Sequence, residues 1–170
     1  MRSRQALSSL LIALLLAGAC KRQDQATSKT NSSQDSGHHH DHTAPHGGTV
    51  IVLGDEAFHL ELVHEPIAGR LTLYVLDGHL ENFIRLPAAG IVTSIALGET
   101  NRALVLTPMA QSATGETIGN TSQFGGEADW LKASPELSGL ISSIEVRGQE
   151  FTNVAFRIKA DATVKLKSNQ

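Results

Sequence analysis

Histidine, a residue type that binds metals, is concentrated in one part of this sequence. The 170 residues contain eight histidines, and all of them fall between positions 38 and 79. Neutral imidazole is the commonest metal ligand in proteins and suits borderline metals. The densest part of the sequence therefore predicts a metal site that draws on His38, His39, His40, Asp41, His42 and His46.

The scarcity of sulfur narrows the choice of metal. Cys20 is the only cysteine, and Met109 is the only methionine apart from Met1. A dedicated Cu(I) site needs soft sulfur ligands, so the pattern favours Zn²⁺, Cu²⁺, Ni²⁺ or Co²⁺, with Cu²⁺ first in the general order of affinity. None of these metals is expected to be obligatory. There are three alternatives: an expression tag, which the internal position behind a signal sequence and the interruption by Asp41 disfavour, a low-complexity tract without a role, and adventitious metal binding.

The remaining histidines lie in predicted strands or turns. Alternation places His59 on the same face as Glu61, and an odd separation places His64 on the opposite face. A secondary metal site would use His59, His64 and Glu65, or His46 with the last two. A hydrogen-bonded histidine at a strand edge is the simpler interpretation of His64. His79 follows Asp77-Gly78 and is expected in a turn.

The sequence predicts a binding protein without catalytic residues. It contains no GxSxG, no HExxH and no glycine-rich phosphate loop. A zinc ion held by His46, His59 and His64 is the one formal catalytic alternative. The formal charge of −3 supplies no positive field for nucleic acid. Aromatic residues make up only 4% of the chain, which argues against a platform for stacking sugars.

The N-terminal residues are typical of a bacterial export signal. Arg2 and Arg4 precede an apolar stretch of fourteen residues, 6–19. As a helix it would span about 21 Å, too short for a hydrocarbon core of about 30 Å. The stretch ends in LAGAC, which resembles the lipobox of bacterial lipoproteins, although Ala17 stands where that family prefers Leu. The resemblance implies that residues 1–19 are removed and that Cys20 carries lipid.

Other outcomes of export are open. Ala17 and Ala19 also suit an ordinary signal peptidase, which would release a soluble periplasmic protein. Lys21 follows the cysteine, and resemblance to the sorting rule of enteric bacteria implies an outer-membrane anchor facing the periplasm. Without Arg2 and Arg4, 12 positive charges stand against 17 negative ones, a formal charge of −5. Residues 20–45 should form a disordered tether, because 21–45 contain no Val, Ile, Leu, Met or aromatic residue.

Residues 46–160 are predicted to form a β domain, followed by a tail over 161–170. Strands are expected at 49–53, 58–62, 70–77, 91–97, 103–106, 140–147 and 151–159. Gly148-Gln149 should form a two-residue hairpin turn, 127–133 one short helix, and 108–126 a long loop. About seven strands with frequent turns indicate an all-β, antiparallel β-sandwich of the immunoglobulin-like kind.

Four segments carry a further resemblance: PHGGTVIVLG, FHLELVHEPIAGRLTLYVLD, SQFGGEADWLKA and IEVRGQEFTNVAFRI. Together they resemble a family of small bacterial lipoproteins, common in planctomycetes, in which a His-rich leader precedes a domain starting with His-Gly-Gly. A similar start occurs in extensions of heavy-metal efflux adaptors, which implies periplasmic metal handling. The matching positions are His46, Gly47, Gly48, Gly54, His59, Glu61 and His64.

These features predict a membrane-tethered periplasmic lipoprotein that binds divalent transition-metal ions through its His-rich leader. It would buffer the ions or hand them to an efflux partner. The alternative is an envelope lipoprotein with a structural or protein-interaction role, in which the histidines are incidental.

Overall fold

The computed structural model describes residues 43–134 and 136–159. The expected signal peptide, Cys20, the leader histidines 38–42 and the tail over 161–170 lie outside these residues. No helix within the described part of the chain is long and apolar enough to cross a membrane.

Antiparallel strands supply nearly all of the regular structure. The described residues form β1 (Thr49–Leu53), β2 (Phe58–Glu65), β3 (Arg70–Asp77), β4 (Ile91–Leu97), β5 (Thr100–Pro108), β6 (Gln123–Glu127), β7 (Leu137–Val146) and β8 (Gln149–Ile158). A single 3₁₀ helix, Asp129–Ala133, lies between β6 and β7. The expected all-β, antiparallel fold with one short helix is confirmed.

The strands form one sheet in the order β1-β2-β3-β6-β5-β4-β7-β8. Its two four-stranded halves are joined only by a short pairing of Thr107 with Gly125 and of Pro108 with Phe124. At the other end β1 contacts β8, so the sheet is nearly closed. Apolar side chains from both halves form one buried cluster. The two expected layers are thus halves of one continuous sheet, because β5 and β6 keep their backbone hydrogen bonds where the halves meet.

The stretch 108–126 was expected to be a loop, and that prediction is wrong at both ends. β5 continues to Pro108, and β6 begins at Gln123. β6 escapes notice in the sequence because it has one apolar side chain, Phe124, followed by two glycines. A Cβ atom at Gly126 would lie 3.1 Å from the Leu104 and Leu106 side chains. At position 126 close packing therefore favours glycine, although alternation along the strand would predict a larger apolar residue.

Several other boundaries also differ. β2 continues to Glu65, three residues beyond its expected end, and β5 and β7 begin at Thr100 and Leu137, each three residues before its expected start. The β7–β8 turn is Arg147-Gly148, one residue earlier than expected, because Val146 pairs with Gln149. Both turn residues have positive φ, 50° and 80°, as the type I′ turn preferred in two-residue hairpins requires. The expected helix over 127–133 is shortened at its start because Glu127 belongs to β6.

The β6 assignment leads to a stability prediction. Phe124→Ala should lower the free energy of unfolding by about 3–5 kcal/mol, because Phe124 is fully buried in the common core. Ile118→Ala is the matched control from the same stretch. Its side chain is exposed, so the expected loss is below about 0.5 kcal/mol. Urea unfolding of the two variants provides the comparison, and similar losses would contradict the described β6.

Candidate functional site

Glu61 is a carboxylate buried in the middle of β2. Leu60 and Leu62 point into the core, as alternation predicts. The opposite face, which carries His59 and Glu61, is also buried, with exposed fractions of 2% and 0%. The predicted sharing of a face by these two side chains is confirmed. A charge removed from water is costly unless it is hydrogen-bonded, so the partners of Glu61 are decisive.

The His-Gly-Gly segment supplies those partners. Glu61 Oε1 accepts hydrogen bonds from the backbone N–H of His46 at 2.7 Å and of Gly48 at 2.9 Å. Glu61 Oε2 lies 2.8 Å from His46 Nδ1. Because a carboxylate only accepts hydrogen bonds, the neutral His46 ring carries its hydrogen on Nδ1. The other ring nitrogen, Nε2, then has a free lone pair. We call His46, Gly47, Gly48 and Glu61 the clasp.

Both glycines of the clasp have a geometric reason. Gly47 has φ +72°, a backbone conformation that favours glycine. A Cβ atom at Gly48 would lie 2.6 Å from the Leu62 carbonyl oxygen and 2.9 Å from Glu61 Cγ. The expected tight entry into the first strand is therefore present, and it lets the backbone reach the carboxylate.

The His46 ring is held on its face as well as at Nδ1. It stacks on Tyr74 with ring centroids 3.7 Å apart and an angle of 9° between the planes. Phe83 lies 5.6 Å away in a tilted arrangement. The side chain keeps 36% exposure, and no described residue hydrogen-bonds to Nε2. Burial, together with the charges of Glu61 and Glu65, raises the pKa of the Tyr74 hydroxyl, which therefore stays neutral.

These aromatic side chains form one wall of a pocket of about 470 Å³. The other lining residues are Arg85, Gln111, Thr114, Glu116, Ser122 and Gln123. Gln123 donates a hydrogen bond to the Tyr74 hydroxyl at 3.2 Å and so connects the two sides. The pocket therefore combines a rigid aromatic wall with a polar wall.

Glu116 organises the polar wall. Its Oε1 accepts hydrogen bonds from the N–H and hydroxyl of Ser122 at 2.8 and 2.6 Å, and Oε2 accepts one from the Thr114 hydroxyl at 3.0 Å. Burial acts to raise the pKa of Glu116, but these bonds and nearby Arg85 outweigh it and lower the pKa. The carboxylate is thus ionised and stands 3.7 Å from Arg85 Nε.

A turn after β3 brings Phe83 and Arg85 to the pocket. The Asp77 carboxylate accepts hydrogen bonds from the backbone N–H groups of His79, Glu81 and Asn82 and from the Asn82 side chain. The chain then returns along β3, where the Ile84 N–H donates to the Val75 carbonyl. Ile84 is buried in the core, so its neighbours Phe83 and Arg85 point outward. His79 lies in this turn, as expected.

The candidates for a secondary metal site have separate partners. His59 Nδ1 lies 3.1 Å from the Asp77 carbonyl, and His64 Nε2 lies 3.2 Å from the Leu131 carbonyl. Burial lowers the pKa of His64 in spite of this bond and of nearby Glu65. Glu65 itself lies 3.6 Å from Arg70. Within 43–134 and 136–159, no three His, Cys, Asp or Glu side chains are grouped so that they could hold a metal ion.

Tyr74, Phe83, Arg85 and Glu116 were not expected from the sequence to share a site with His46. Tyr74 stands in an apolar run, and the other three stand where no periodicity is visible. One usable signal was present, namely a glutamate between Leu60 and Leu62 in a strongly apolar strand. The register then places Tyr74 directly opposite Glu61, which requires knowledge of the strand pairing.

The clasp leads to a second stability prediction. Glu61→Gln should lower the free energy of unfolding by about 2–4 kcal/mol, because a neutral amide replaces a carboxylate that accepts three charge-assisted hydrogen bonds, and its NH2 group can pair with His46 Nδ1 only if the ring takes the other tautomer. Glu65→Gln, at an exposed ion pair on the same strand, should cost at most about 1 kcal/mol. Urea unfolding at pH 7 measures both. Equal effects would show that Glu61 contributes no more than a surface charge.

The Asp77 turn predicts a pH dependence. Burial acts to raise the pKa of Asp77, but the bonds from Asn82, Glu81 and His79 outweigh it and lower the pKa to about 2. A lowered pKa stabilises the folded state above the unfolded value near 3.8, and this contribution is lost as the pH falls from about 4 to about 2. Asp77→Asn should therefore flatten the decline of the urea midpoint across that range. Asn82→Ala removes one donor and should have an intermediate slope; parallel slopes for all three proteins would contradict the assignment.

Comparisons with known protein families, with curated proteins and with solved structures find no match for this chain. The resemblance to His-rich bacterial lipoproteins therefore stays a prediction. Any functional conclusion must rest on the residues of the site.

Proposed function

We propose that this protein binds divalent transition-metal ions through its His-rich leader, with His46 as the ligand fixed to the folded domain. The single observation that carries the proposal is the 2.8 Å contact between His46 Nδ1 and the buried carboxylate of Glu61. Histidines that bind metals commonly donate their other ring N–H to a carboxylate, which fixes the tautomer and the ring orientation. His46 has this arrangement, with Nε2 as the nitrogen left for a metal.

The spacing of the leader supports the same proposal. His42 precedes His46 by four residues and His40 precedes it by six. At no more than about 3.6 Å per residue, these intervals span up to roughly 14 and 22 Å. The side chains of His40 and His42 are thus within reach of an ion held at His46 Nε2. The protein would contribute one preoriented ligand, and the leader would supply the others.

Export, lipidation at Cys20 and transfer of the metal to an efflux partner belong to the same proposal. They rest on the signal sequence, on the lipobox resemblance and on the His-Gly-Gly start. A tethered metal-binding domain would hold its cargo near an envelope transporter.

A second candidate function is protein interaction in the envelope. The observation that favours it is a group of exposed apolar side chains on the outer face of β4, β5 and β7: Val92, Val105 and Leu140. Val92 pairs with Val105, and Leu140 pairs with Ser94, two residues along β4 from Val92. The three side chains therefore share one face.

Metal titration tests the proposal. Calorimetry of residues 21–170 at pH 7.5 should give a Kd below about 10 μM for Cu²⁺ or Zn²⁺. Replacing all four histidines at 38–42 by Asn, or His46 by Gln, should each weaken binding at least about tenfold. His79→Gln is the matched control and should bind as the parent does. Bound metal should be released as the pH falls through about 6, because protons compete for imidazole.

Three results would overturn the proposal. Absence of binding below about 10 μM in the parent protein would remove metal binding altogether. Equal affinity in the parent and in the leader variant would show that the leader does not supply ligands. Retention of metal at pH 4.5 would indicate carboxylate ligands instead of histidines.

A further inference from the structure

We infer that the pocket beside the clasp binds a small organic monoanion, a carboxylate attached to a flat apolar group. The inference shares the His46 ring with the proposed metal binding but does not require a bound metal, because it rests on Arg85, Phe83 and Tyr74. The pocket volume of about 470 Å³ lies within the range of small-molecule sites.

The aromatic wall is open and preorganised. Phe83 is a large apolar side chain that keeps 45% exposure at the pocket. Beside it, the stacked rings of His46 and Tyr74 are fixed by Glu61 and Gln123. A flat group can lie against these rings without first ordering them, which reduces the entropic cost of binding. The wall thus selects a planar, apolar portion of a ligand.

Arg85 supplies the positive charge of the opposite wall. Its Nη2 donates to the Thr114 carbonyl at 2.5 Å, and its Nε faces Glu116 at 3.7 Å. Thr114 and Glu116 both line the pocket, so the guanidinium of Arg85 lies at the pocket wall. Arginine has five N–H donors, and no described residue accepts a hydrogen bond from Nη1. The held guanidinium therefore has donors left for an anion.

The charges around Arg85 favour a ligand with a single negative charge. Arg85 is the only Lys or Arg among the described residues that line the pocket, and Glu116 is ionised. Both Glu116 oxygens already accept hydrogen bonds from Ser122 or Thr114. A dianion such as a phosphate monoester would meet one cation and one anion, whereas a carboxylate can pair with the free side of the guanidinium. The other polar side chains on this wall, Gln111 among them, are neutral.

Binding of matched probes tests the inference. Residues 21–170, freed of metal with EDTA, are titrated with N-acetylphenylalanine, with its C-terminal amide and with phenyl phosphate, and backbone amide shifts are followed by NMR. The carboxylate should bind at least about tenfold more tightly than the amide, the magnitude expected for one charged hydrogen-bonded pair. Phenyl phosphate should bind more weakly than the carboxylate. Removing metal first keeps a failure here distinct from a failure of the metal titration.

Two variants assign the effect to the pocket. Arg85→Gln should reduce the preference for the carboxylate to less than about twofold, and Phe83→Ala should weaken both the carboxylate and the amide about tenfold. Arg102→Gln is the matched control, because Arg102 lies over Trp130 and does not line this pocket. Retained amide dispersion establishes that each variant is folded. Any of four results would overturn the inference. Two concern the probes: equal binding of the carboxylate and the amide, or tighter binding of phenyl phosphate than of the carboxylate. The others are the absence of amide shifts up to about 10 mM probe and equal losses of binding in Arg85→Gln and Arg102→Gln.

Discussion

The rest of the site depends on the buried carboxylate of Glu61. An ionised group without solvent exposure must find donors inside the protein, and β2 offers none, since its own N–H groups belong to the sheet. The donors come from a segment just before β1, which must approach β2 closely enough to bring two backbone N–H groups and one imidazole to the same carboxylate. That approach explains Gly48, and the reversal before it explains Gly47.

The register of the strands aligns Glu61 with residues that line the pocket. Val50, Glu61, Tyr74 and Gln123 occupy consecutive positions in one cross-strand row through β1, β2, β3 and β6. Side chains in such a row share a face and lie about 5 Å apart. The row therefore places Tyr74 beneath the imidazole that Glu61 holds, and Gln123 beside the Tyr74 hydroxyl. The aromatic wall is a consequence of strand register.

Sequence patterns predicted the strands better than the site. The bounds of β1, β3 and β4 match the expected ones, because β-branched and apolar runs ended by turn residues identify strands directly. β6 was missed because its glycines carry no periodic signal. Alternation correctly grouped His59 with Glu61, but it cannot show what covers the outer face of a sheet. Phe83, Arg85 and Glu116 meet through a turn and an irregular segment, whose path follows from hydrogen bonds around Asp77 and Glu116.

The His46 ring links the two proposed ligands. Its Nδ1 is bound to Glu61 and one face lies on Tyr74, so Nε2 is the position at which the ring can bind a metal ion. A metal ion there would add positive charge to a pocket that already contains Arg85. An anion bound to Arg85 would then be attracted by both charges. Because coupling between two ligands is reciprocal, the anion would strengthen the metal's binding by the same factor. Glu61 would set the strength of this coupling, since its negative charge compensates the ring from the opposite side.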